Sequence, residues 1–213
     1  IISLLISFPI LRTKGVYMVL ATFAIAEIVA GIILNSDYLG GPTGIVVNAY
    51  IETEVVLITA IVIVLLGFYL MSTRVGLAMR AVHDDEAVAD LMGIHKRAIQ
   101  VSAFTLGGAI AGLSGGLYAL YFGFIEAQYF NANISIFVLL YVLIGGTQTA
   151  WGPLVGASFF TLIPEVLRIG DDWRFFIFGV IIVVMMIIRP EGIVTRDALE
   201  RIWTQLFPRG KNV

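Results

Sequence analysis

Glu27 is the residue with the clearest chemical potential, because it is a carboxylate inside the long apolar run Gly15 to Leu34. A charged side chain near the centre of a membrane-spanning helix costs about 2.5–3.5 kcal/mol on insertion scales, so its presence needs a reason. One interpretation is that Glu27 faces a bundle interior, where its charge would suit an ammonium group. The other is that it is protonated, or hydrogen-bonded to a neighbouring helix, and has a structural role. The sequence leaves both open.

Segment 35–53 carries no lysine or arginine and contains a cluster of glycines. Glycine lets backbone amides come close to a ligand, and a nearby helix N-terminus could hold a carboxylate. A tight turn is the commoner explanation for such a cluster. We keep both interpretations, and the candidate ligand contacts here are Gly41, Thr43 and Gly44.

A polar break, Gly145 to Pro153, separates two apolar segments, Ile134 to Ile144 and Leu154 to Ile163, that are each too short to cross a membrane comfortably. Non-helical backbone at membrane depth is tolerated only where it is buried in protein or lines a cavity. Discontinuous helices of this kind form substrate sites in transporters, so we favour a pathway role for the break. Its candidate pathway residues are Gly145, Gly146, Thr147 and Gln148.

Several classes of function are disfavoured by the sequence. The chain has no cysteine, its net charge is −2, and no basic stripe with interleaved aromatics suggests nucleic acid as a partner. His83 and His95 flank a short charged helix rather than sharing a face at metal-ligand spacing, so we expect no metal site. No catalytic constellation in the apolar segments indicates an enzyme, and no Walker-type loop indicates ATP hydrolysis by this chain itself.

The elements that must position these residues are membrane-spanning helices. The sequence is 59% hydrophobic and 13% charged, with a mean hydropathy of +0.97, as expected for a membrane protein. Residues 1–11 are apolar but too short to span, and we expect them to end a span whose start is missing, as in the C-terminal part of a longer protein. The longer unbroken intervals are Gly15 to Leu34, Val55 to Met71, Val101 to Phe122 and Phe175 to Ile188. The expected fold class is an all-α polytopic membrane protein with a broken or re-entrant helix pair.

Orientation follows from the basic residues, which concentrate on the cytoplasmic side of membrane proteins. Of the 13 lysines and arginines, only Arg168 and Arg174 fall on the opposite side under a single consistent topology. This topology places the charged loop 72–100 and the tail 189–213 in the cytoplasm. The broken interval must then enter and return on the external side, either as two tilted crossings or as a re-entrant hairpin. The tail should contain a short amphipathic surface helix.

Loop 72–100 contains two helical patterns. Residues 73–82 are predicted to form an amphipathic extension of the preceding span, at the membrane surface. Asp84 is a good N-cap for a second helix of roughly 12 Å, and Gly93 sits where a left-handed residue would end it. So short a helix is marginal alone and needs a surface to pack on; the alternative is a solvated connector. Its apolar face comprises Ala87, Val88, Leu91 and Met92, whereas Asp85, Glu86 and Asp90 stay outside.

Small residues recur within the third long apolar interval. Gly108, Gly112 and Gly116 follow one another at four-residue spacing, which lets neighbouring helices approach closely in a membrane. We therefore expect this span to be central and these glycines to serve helix packing. Gly152 and Gly156 repeat the pattern once.

Residues Arg74 to Val82, followed by Glu86-Ala87 and Leu91 to Ile94, resemble the cytoplasmic loop of ABC importer permeases, most nearly the branched-chain amino acid (LivM/LivH-type) permease family. Further stretches that resemble this family occur in the family's order along nearly the whole chain. They include Arg12 to Tyr17, Gly40 to Gly44, Ala109 to Gly115, Ile144 to Gly146, Gly152-Pro153, Gly156-Ala157 and Arg189 to Gly192. Val88 departs from the Glu-Ala-Ala…Gly signature of importer permeases, which loosens the assignment of individual contact residues.

The resemblance implies the permease subunit of an ABC importer in the bacterial cytoplasmic (inner) membrane, surrounded by lipid, with branched-chain amino acids as cargo. The implied partners are a paralogous permease, two ABC ATPase subunits that bind ATP and Mg²⁺, and a periplasmic or extracellular substrate-binding protein. No cofactor is expected in this chain itself. The residues expected to couple to the ATPases are Arg80, Asp84, Asp85, Glu86, Ala87, Asp90 and Gly93. The alternatives are a urea or amide permease of the same family and an ATP-independent solute channel.

Overall fold

A computed structural model describes residues 1–13, 15–147, 149–167, 179–180, 183–184, 187, 192 and 194. The described chain is helical almost throughout, with one pair of short antiparallel strands. The helices are α1 Ile2–Ile10, α2 Val16–Leu34, α3 Thr53–Ser72, α4 Arg74–Asp84, α5 Glu86–Leu91, α6 Lys96–Phe122, α7 Ala132–Gly145 and α8 Trp151–Leu167. The strands are β1 Ile45–Val46 and β2 Phe124–Ile125, and 3₁₀ turns occupy Asp37–Leu39, Gly41–Thr43 and Ala127–Phe130. The predicted all-α fold class is confirmed.

Four helical segments of the described chain are long and apolar enough to cross a membrane: Tyr17–Leu34, Thr53–Ser72, Lys96–Phe122 and Ala127–Gly145. The first three have no buried residue in their apolar windows, so lipid or other protein must cover them. These three confirm the first three predicted spans, although α6 begins at Lys96 rather than at Val101. The predicted span Phe175 to Ile188 and the tail 189–213 lie almost wholly outside the described residues.

The chain divides into two compact units, Ile1–Ala132 and Asn133–Val213. In the first unit the start of α3 lies beside the end of α6, where the hydroxyl of Thr53 donates to the hydroxyl of Tyr121 (3.5 Å). The two helices therefore run antiparallel. α4 follows α3 and packs on α6, and α1 packs along α6 as well. The segment that contains α4 and α5 therefore lies at one end of this unit.

The opposite end of the first unit is organised by the strand pair. Ile45 lies opposite Ile125, and the N–H of Val47 donates to the carbonyl of Gly123 (2.8 Å). The pairing joins the segment after α2 to the segment after α6. The ends of α2 and α6 and the start of α3 therefore share this side of the unit.

Residues 73–82 do not extend α3 as predicted; they belong to a separate helix, α4. Thr73 has an extended backbone (φ −83°, ψ 169°), and its hydroxyl accepts from the N–H of Gly76 (3.4 Å) as an N-cap. A Cβ atom at Gly76 would meet the carbonyl of Leu70, so the chain turns tightly between the two helices. The polar run Ser72-Thr73-Arg74 marks this break, and threonine is a favoured N-cap residue, so the signal lay in the capping residue rather than in the hydrophobic pattern.

In the second unit α7 and α8 form an antiparallel hairpin with touching backbones. A Cβ atom at Gly145 would meet the carbonyl of Gly152, and one at Gly156 would meet the carbonyl of Tyr141. Further along, the rings of Tyr141 and Phe160 stack with their centroids 5.1 Å apart. Larger side chains at these glycines would therefore separate the two helices.

The interruption between α7 and α8 is shorter than the predicted Gly145 to Pro153. α7 includes Gly145 and α8 begins at Trp151, so Pro153 lies in the first turn of α8. Proline is tolerated there because first-turn N–H groups have no helical acceptor and its fixed φ suits a helix start. The predicted limits of the break were therefore wrong at both ends.

Candidate functional site

The N-terminus of the short helix α5 is capped by Asp85. Its Oδ1 accepts from the N–H groups of Ala87 (2.8 Å) and Val88 (3.1 Å), and its backbone is extended (φ −156°, ψ 111°). Asp84 was predicted to be this cap, and that prediction is wrong by one residue. Asp84 is instead the last residue of α4, because the helical backbone continues to it before the chain turns.

The C-terminus of α5 is closed by Gly93, as the sequence predicts. Gly93 is left-handed (φ +79°), and its N–H donates to the carbonyl of Asp90 (3.0 Å). The N–H of Ile94 donates to the carbonyl of Ala89 (3.0 Å), which completes a Schellman motif. With both ends capped, α5 is a six-residue helix of defined length. Six residues correspond to about 9 Å of helix, somewhat less than the predicted length of roughly 12 Å.

The acidic residues of α5 are tied to the first turns of α6. The Nζ of Lys96 lies 3.9 Å from Oε2 of Glu86 and 3.5 Å from Oδ2 of Asp90. The Nε2 of Gln100 donates to Oε1 of Glu86 (3.1 Å). These contacts hold α5 against α6 within the chain. Glu86 and Asp90, which were predicted to meet a partner, thus have a positioning role in this structure.

Only one apolar residue of α5 is buried, and the others, together with Met92 directly after the helix, are exposed. Ala89 is buried, whereas Val88 is 49%, Leu91 88% and Met92 75% exposed. The predicted apolar face therefore does not pack on its own chain, and Ala89 makes the inward contact instead. We call the exposed surface of Val88, Leu91 and Met92 the α5 apolar surface.

Arg80 uses its guanidinium inside the chain. Its Nη2 donates to the carbonyl of Met71 (2.8 Å), in the last turn of α3, where helix carbonyls lack intrahelical donors. A cation at this end also complements the helix dipole. Arg80 therefore fastens α4 to α3, and its predicted role in coupling remains a prediction.

A cavity of about 1030 Å³ lies between α1, α2, α6 and the strand pair. α2 lines it with one face, which comprises Thr22, Ile25, Ala26, Val29, Ala30 and Ile33. Glu27 is exposed and does not line the cavity. Because successive helical residues are rotated by about 100°, Glu27 lies on the side of α2 that faces away from it. The structure does not bring Glu27 to the cavity, and its pathway role stays a prediction.

The glycine cluster after α2 forms two successive tight turns. Gly41 is buried, and the hydroxyl of Thr43 donates to the carbonyl of Gly40 (3.0 Å). Gly44 has φ +72°, and a Cβ atom there would lie 2.6 Å from the carbonyl oxygen of Ile125. Gly44 also lines the cavity. Of the three candidates, only Gly44 therefore reaches the cavity, and its hydrogen side chain allows the strand pair to form beside it.

The candidates in the break lie in the second unit, except that Gln148 lies outside the described residues. The carbonyl of Gly145 accepts from the N–H of Val194 (3.0 Å). Gly146 has φ +110°, and its N–H donates to the carbonyl of Val142 (2.9 Å). Thr147 is exposed. The glycines thus shape the helix hairpin, and contact with cargo stays a prediction for all four.

The three glycines predicted to pack α6 differ in their surroundings. A Cβ atom at Gly108 would meet the side chain of Ser3, so α1 approaches α6 there. At Gly112 and Gly116 a Cβ atom would meet nothing within 4 Å in the described chain. Only Gly108 therefore contacts another described helix. Gly108 and Gly112 also line the cavity.

Sequence reasoning missed three polar residues that the structure brings into the candidate sites. Lys96 and Gln100 hold α5, and Glu126 lines the cavity beside β2. Lys96 had a readable signal, because a lysine shortly after three acidic residues of a capped helix favours an ion pair. Glu126 had only the weaker signal of a lone carboxylate directly after an apolar span.

The chain matches the family model described as "Branched-chain amino acid transport system / permease component" over residues 1–188. It is 28% identical to the high-affinity branched-chain amino acid transport system permease protein LivM of Escherichia coli K12, covering 92% of this chain and 55% of the relative. It is 27% identical to the permease protein BraD of Pseudomonas aeruginosa PAO1, named for the same transport (74% and 52%). It is 32% identical to the autoinducer 2 import system permease protein LsrC of E. coli O9:H4 strain HS (68% and 44%). The chain spans about half the length of the curated relatives it matches. No solved structure matches it significantly.

Proposed function

We propose that this chain, which belongs to the family of branched-chain amino acid transport system permease components, forms the membrane permease of an ABC importer for leucine, isoleucine and valine. The observation that carries the proposal is the family match, which includes every helix with defined bounds. It confirms the family that the loop motifs indicated. Two relatives named for branched-chain amino acid transport match 92% and 74% of this chain, which favours that cargo.

The permease would act with partners that supply energy and cargo. Two ABC ATPase subunits bind and hydrolyse Mg²⁺-ATP, a paralogous permease completes the membrane part, and an external binding protein delivers the amino acid. In the bacterial inner membrane, loop 72–100 and the tail 189–213 would face the cytoplasm, as the distribution of lysine and arginine favours. Residues 1–213 then form one permease domain.

The α5 apolar surface is the part of the loop that suits contact with an ATPase subunit. Leu91 and Met92 are largely exposed on a helix whose two ends are capped and whose acidic side chains are held by Lys96. A rigid helix transmits displacement better than a mobile loop. Force on α5 would reach α6 through Lys96 and Gln100, and would reach α3 through α4 and the Arg80–Met71 hydrogen bond.

One relative favours a second cargo. LsrC is named for import of autoinducer 2, and at 32% its identity to this chain is higher than that of LivM, although it covers less of the chain. The permease architecture and the ATP requirement would be the same for either cargo. Urea or another amide and ATP-independent flux are the further alternatives.

Uptake of labelled leucine, autoinducer 2 and urea into proteoliposomes tests the proposal. The vesicles contain the full-length permease with its neighbouring subunits, and uptake is measured with and without internal ATP and with and without the binding protein. We expect leucine uptake that requires both ATP and the binding protein. ATP-dependent uptake of another solute alone would overturn the cargo. Equal flux without ATP would overturn the importer mechanism and favour a channel.

A further inference from the structure

The cavity of the first unit extends along α2 to the strand-pair end. Its lining on α2 extends from Thr22 to Ile33, about 17 Å of helix. Ile45 and Ile125 of the strand pair and Phe130 line its other end. Its volume of about 1030 Å³ is at the upper end of the range of small-molecule sites, which is about 300–1,000 Å³.

Glu126 is the only ionisable side chain among the described residues that line this cavity. It is half-buried, between β2 and the turn Ala127–Phe130. Within the described chain its carboxylate makes no hydrogen bond and no ion pair, and no lysine or arginine lines the cavity beside it. A carboxylate that lines an apolar cavity and has no cation beside it in the described chain is available to a ligand that brings a positive charge.

We propose that this cavity binds the transported amino acid at the strand-pair end, with the carboxylate of Glu126 holding the ammonium group and the apolar wall receiving the branched side chain. The inference rests on the proposed function and identifies where its cargo binds. The chemistry selects an apolar molecule with an ammonium group. It also assigns to Glu126 the cation contact that the sequence suggested for Glu27, which lies on the opposite side of α2.

The strand pair is what holds Glu126 in this position. Ile125, the preceding residue, pairs with Ile45, and the hydrogen side chain of Gly44 lets the two segments touch. The backbone carbonyl of Glu126 accepts from the N–H of Tyr129 (3.2 Å), which fixes the start of the following turn. The carboxylate is thus carried by a short constrained segment rather than by an open loop.

Single cysteines provide the test, because the chain contains none of its own. Ala30→Cys places a thiol on the cavity wall, and Ala24→Cys places one on the face of α2 that does not line the cavity. Each is made in the assembled transporter in lipid nanodiscs and is labelled with ammonium-bearing and sulfonate-bearing methanethiosulfonates of similar size. We expect the Ala30→Cys thiol to react faster with the ammonium reagent, and leucine to protect it. Leucine should not protect the Ala24→Cys thiol.

Glu126→Gln in the Ala30→Cys background should remove the preference for the ammonium reagent. The leucine concentration that gives half protection should rise about tenfold or more, as expected for a lost charged hydrogen bond. Glu126→Asp should retain the preference. Glu54→Gln, which removes an exposed carboxylate at the same end outside the cavity, should change neither measurement.

Three results would overturn the inference. The first is that the Ala30→Cys thiol is not labelled, because lipid chains fill the cavity. The second is that the thiol is labelled but leucine does not protect it. The third is that Glu126→Gln leaves the preference for the ammonium reagent unchanged. If ATP-dependent leucine uptake by the unmodified transporter persists in these cases, only the binding site is wrong. If the unmodified transporter shows no ATP-dependent leucine uptake, the proposed function fails, and the cargo assigned to the cavity fails with it.

Discussion

The two ends of the first unit use charge in opposite ways. At the α5 end, Lys96 pairs with Glu86 and Asp90, and Asp85 caps the helix. The charges are satisfied within the chain, and the apolar side chains are left at the surface. At the strand-pair end, apolar residues line a cavity, and the carboxylate of Glu126, which also lines it, has no partner within the described chain.

This difference separates two kinds of functional surface. Charges that pair within the chain stabilise a shape. The exposed Leu91 and Met92 are then available to a protein partner, since exposed apolar patches mark interaction surfaces. A carboxylate that has no partner among the described residues is available to a ligand. The sequence suggested the reverse for the acidic loop, where Glu86 and Asp90 were expected to be the contacts.

Glu86→Lys should have the largest effect on the α5 end. The substitution places a second cation beside Lys96, now 3.9 Å from the carboxylate, and removes the acceptor of Gln100. We expect ATP-dependent uptake to be abolished while the permease still inserts and co-purifies with its paralogue. The measurement is uptake into proteoliposomes. The charge-swapped pair Glu86→Lys with Lys96→Glu should recover part of the uptake, and unimpaired uptake in the single variant would contradict a coupling role for α5.

Leu91→Asp tests whether the α5 apolar surface contacts an ATPase subunit. Burial of a leucine side chain contributes about 1.5–3 kcal/mol, so we expect the affinity for the ATPase subunit to fall by roughly ten- to a hundredfold. Binding of purified ATPase to the permease in nanodiscs measures this directly. Tyr38→Asp changes a residue that is 93% exposed at the strand-pair end and should leave binding unchanged. Equal losses in both variants would mean that the surface is not specific.

The spans were predictable because their signal is strong and local. α2 and α3 begin and end within two residues of the predicted apolar intervals, since a membrane demands an almost continuous apolar run. α6 was predicted too short at its start because its first turn carries Lys96 and Arg97 and lies outside the hydrophobic signal. The helix break at Thr73 was missed because residues 73–82 were read by their amphipathic pattern alone, although Thr73 is a favoured N-cap residue.

The cavity was not predictable, because it depends on which side of each helix faces its neighbours. Apart from Glu27 and Thr22, α2 is apolar on every face, so no apolar stripe in its sequence indicates which face packs inward. Glu27 was therefore the natural candidate for a contact with cargo, and Glu126 was passed over. Its position beside the cavity depends on the pairing of Ile45 with Ile125, two short segments that are far apart in the sequence.

Gly44→Ala tests the support of the strand-pair end. Gly44 combines φ +72° with ψ −175°, a conformation almost restricted to glycine that costs other residues about 1–3 kcal/mol. Its Cβ atom would also lie 2.6 Å from the carbonyl oxygen of Ile125. We expect lower thermal stability in detergent and weaker leucine protection of the cavity. Gly123→Ala is the control, because it is left-handed but has its nearest neighbour, the carbonyl of Val47, at 3.7 Å. A loss in Gly123→Ala as large as that in Gly44→Ala would show that close approach is not the cause.

Asp85→Ala should have the smallest effect, and it distinguishes the observed cap from the one that the sequence indicated. Loss of a side-chain cap costs a helix about 0.5–2 kcal/mol, so the amides of α5 should exchange with solvent several times faster, and uptake should fall less than in Glu86→Lys. Hydrogen exchange of the assembled transporter measures the first effect.

Asp85→Ser should retain protection because serine can also accept from the first-turn amides. Asp84→Ala should leave the α5 amides protected, since the two hydrogen bonds to Ala87 and Val88 come from Asp85. Faster exchange in Asp84→Ala than in Asp85→Ala would return the cap to the residue that the sequence favoured.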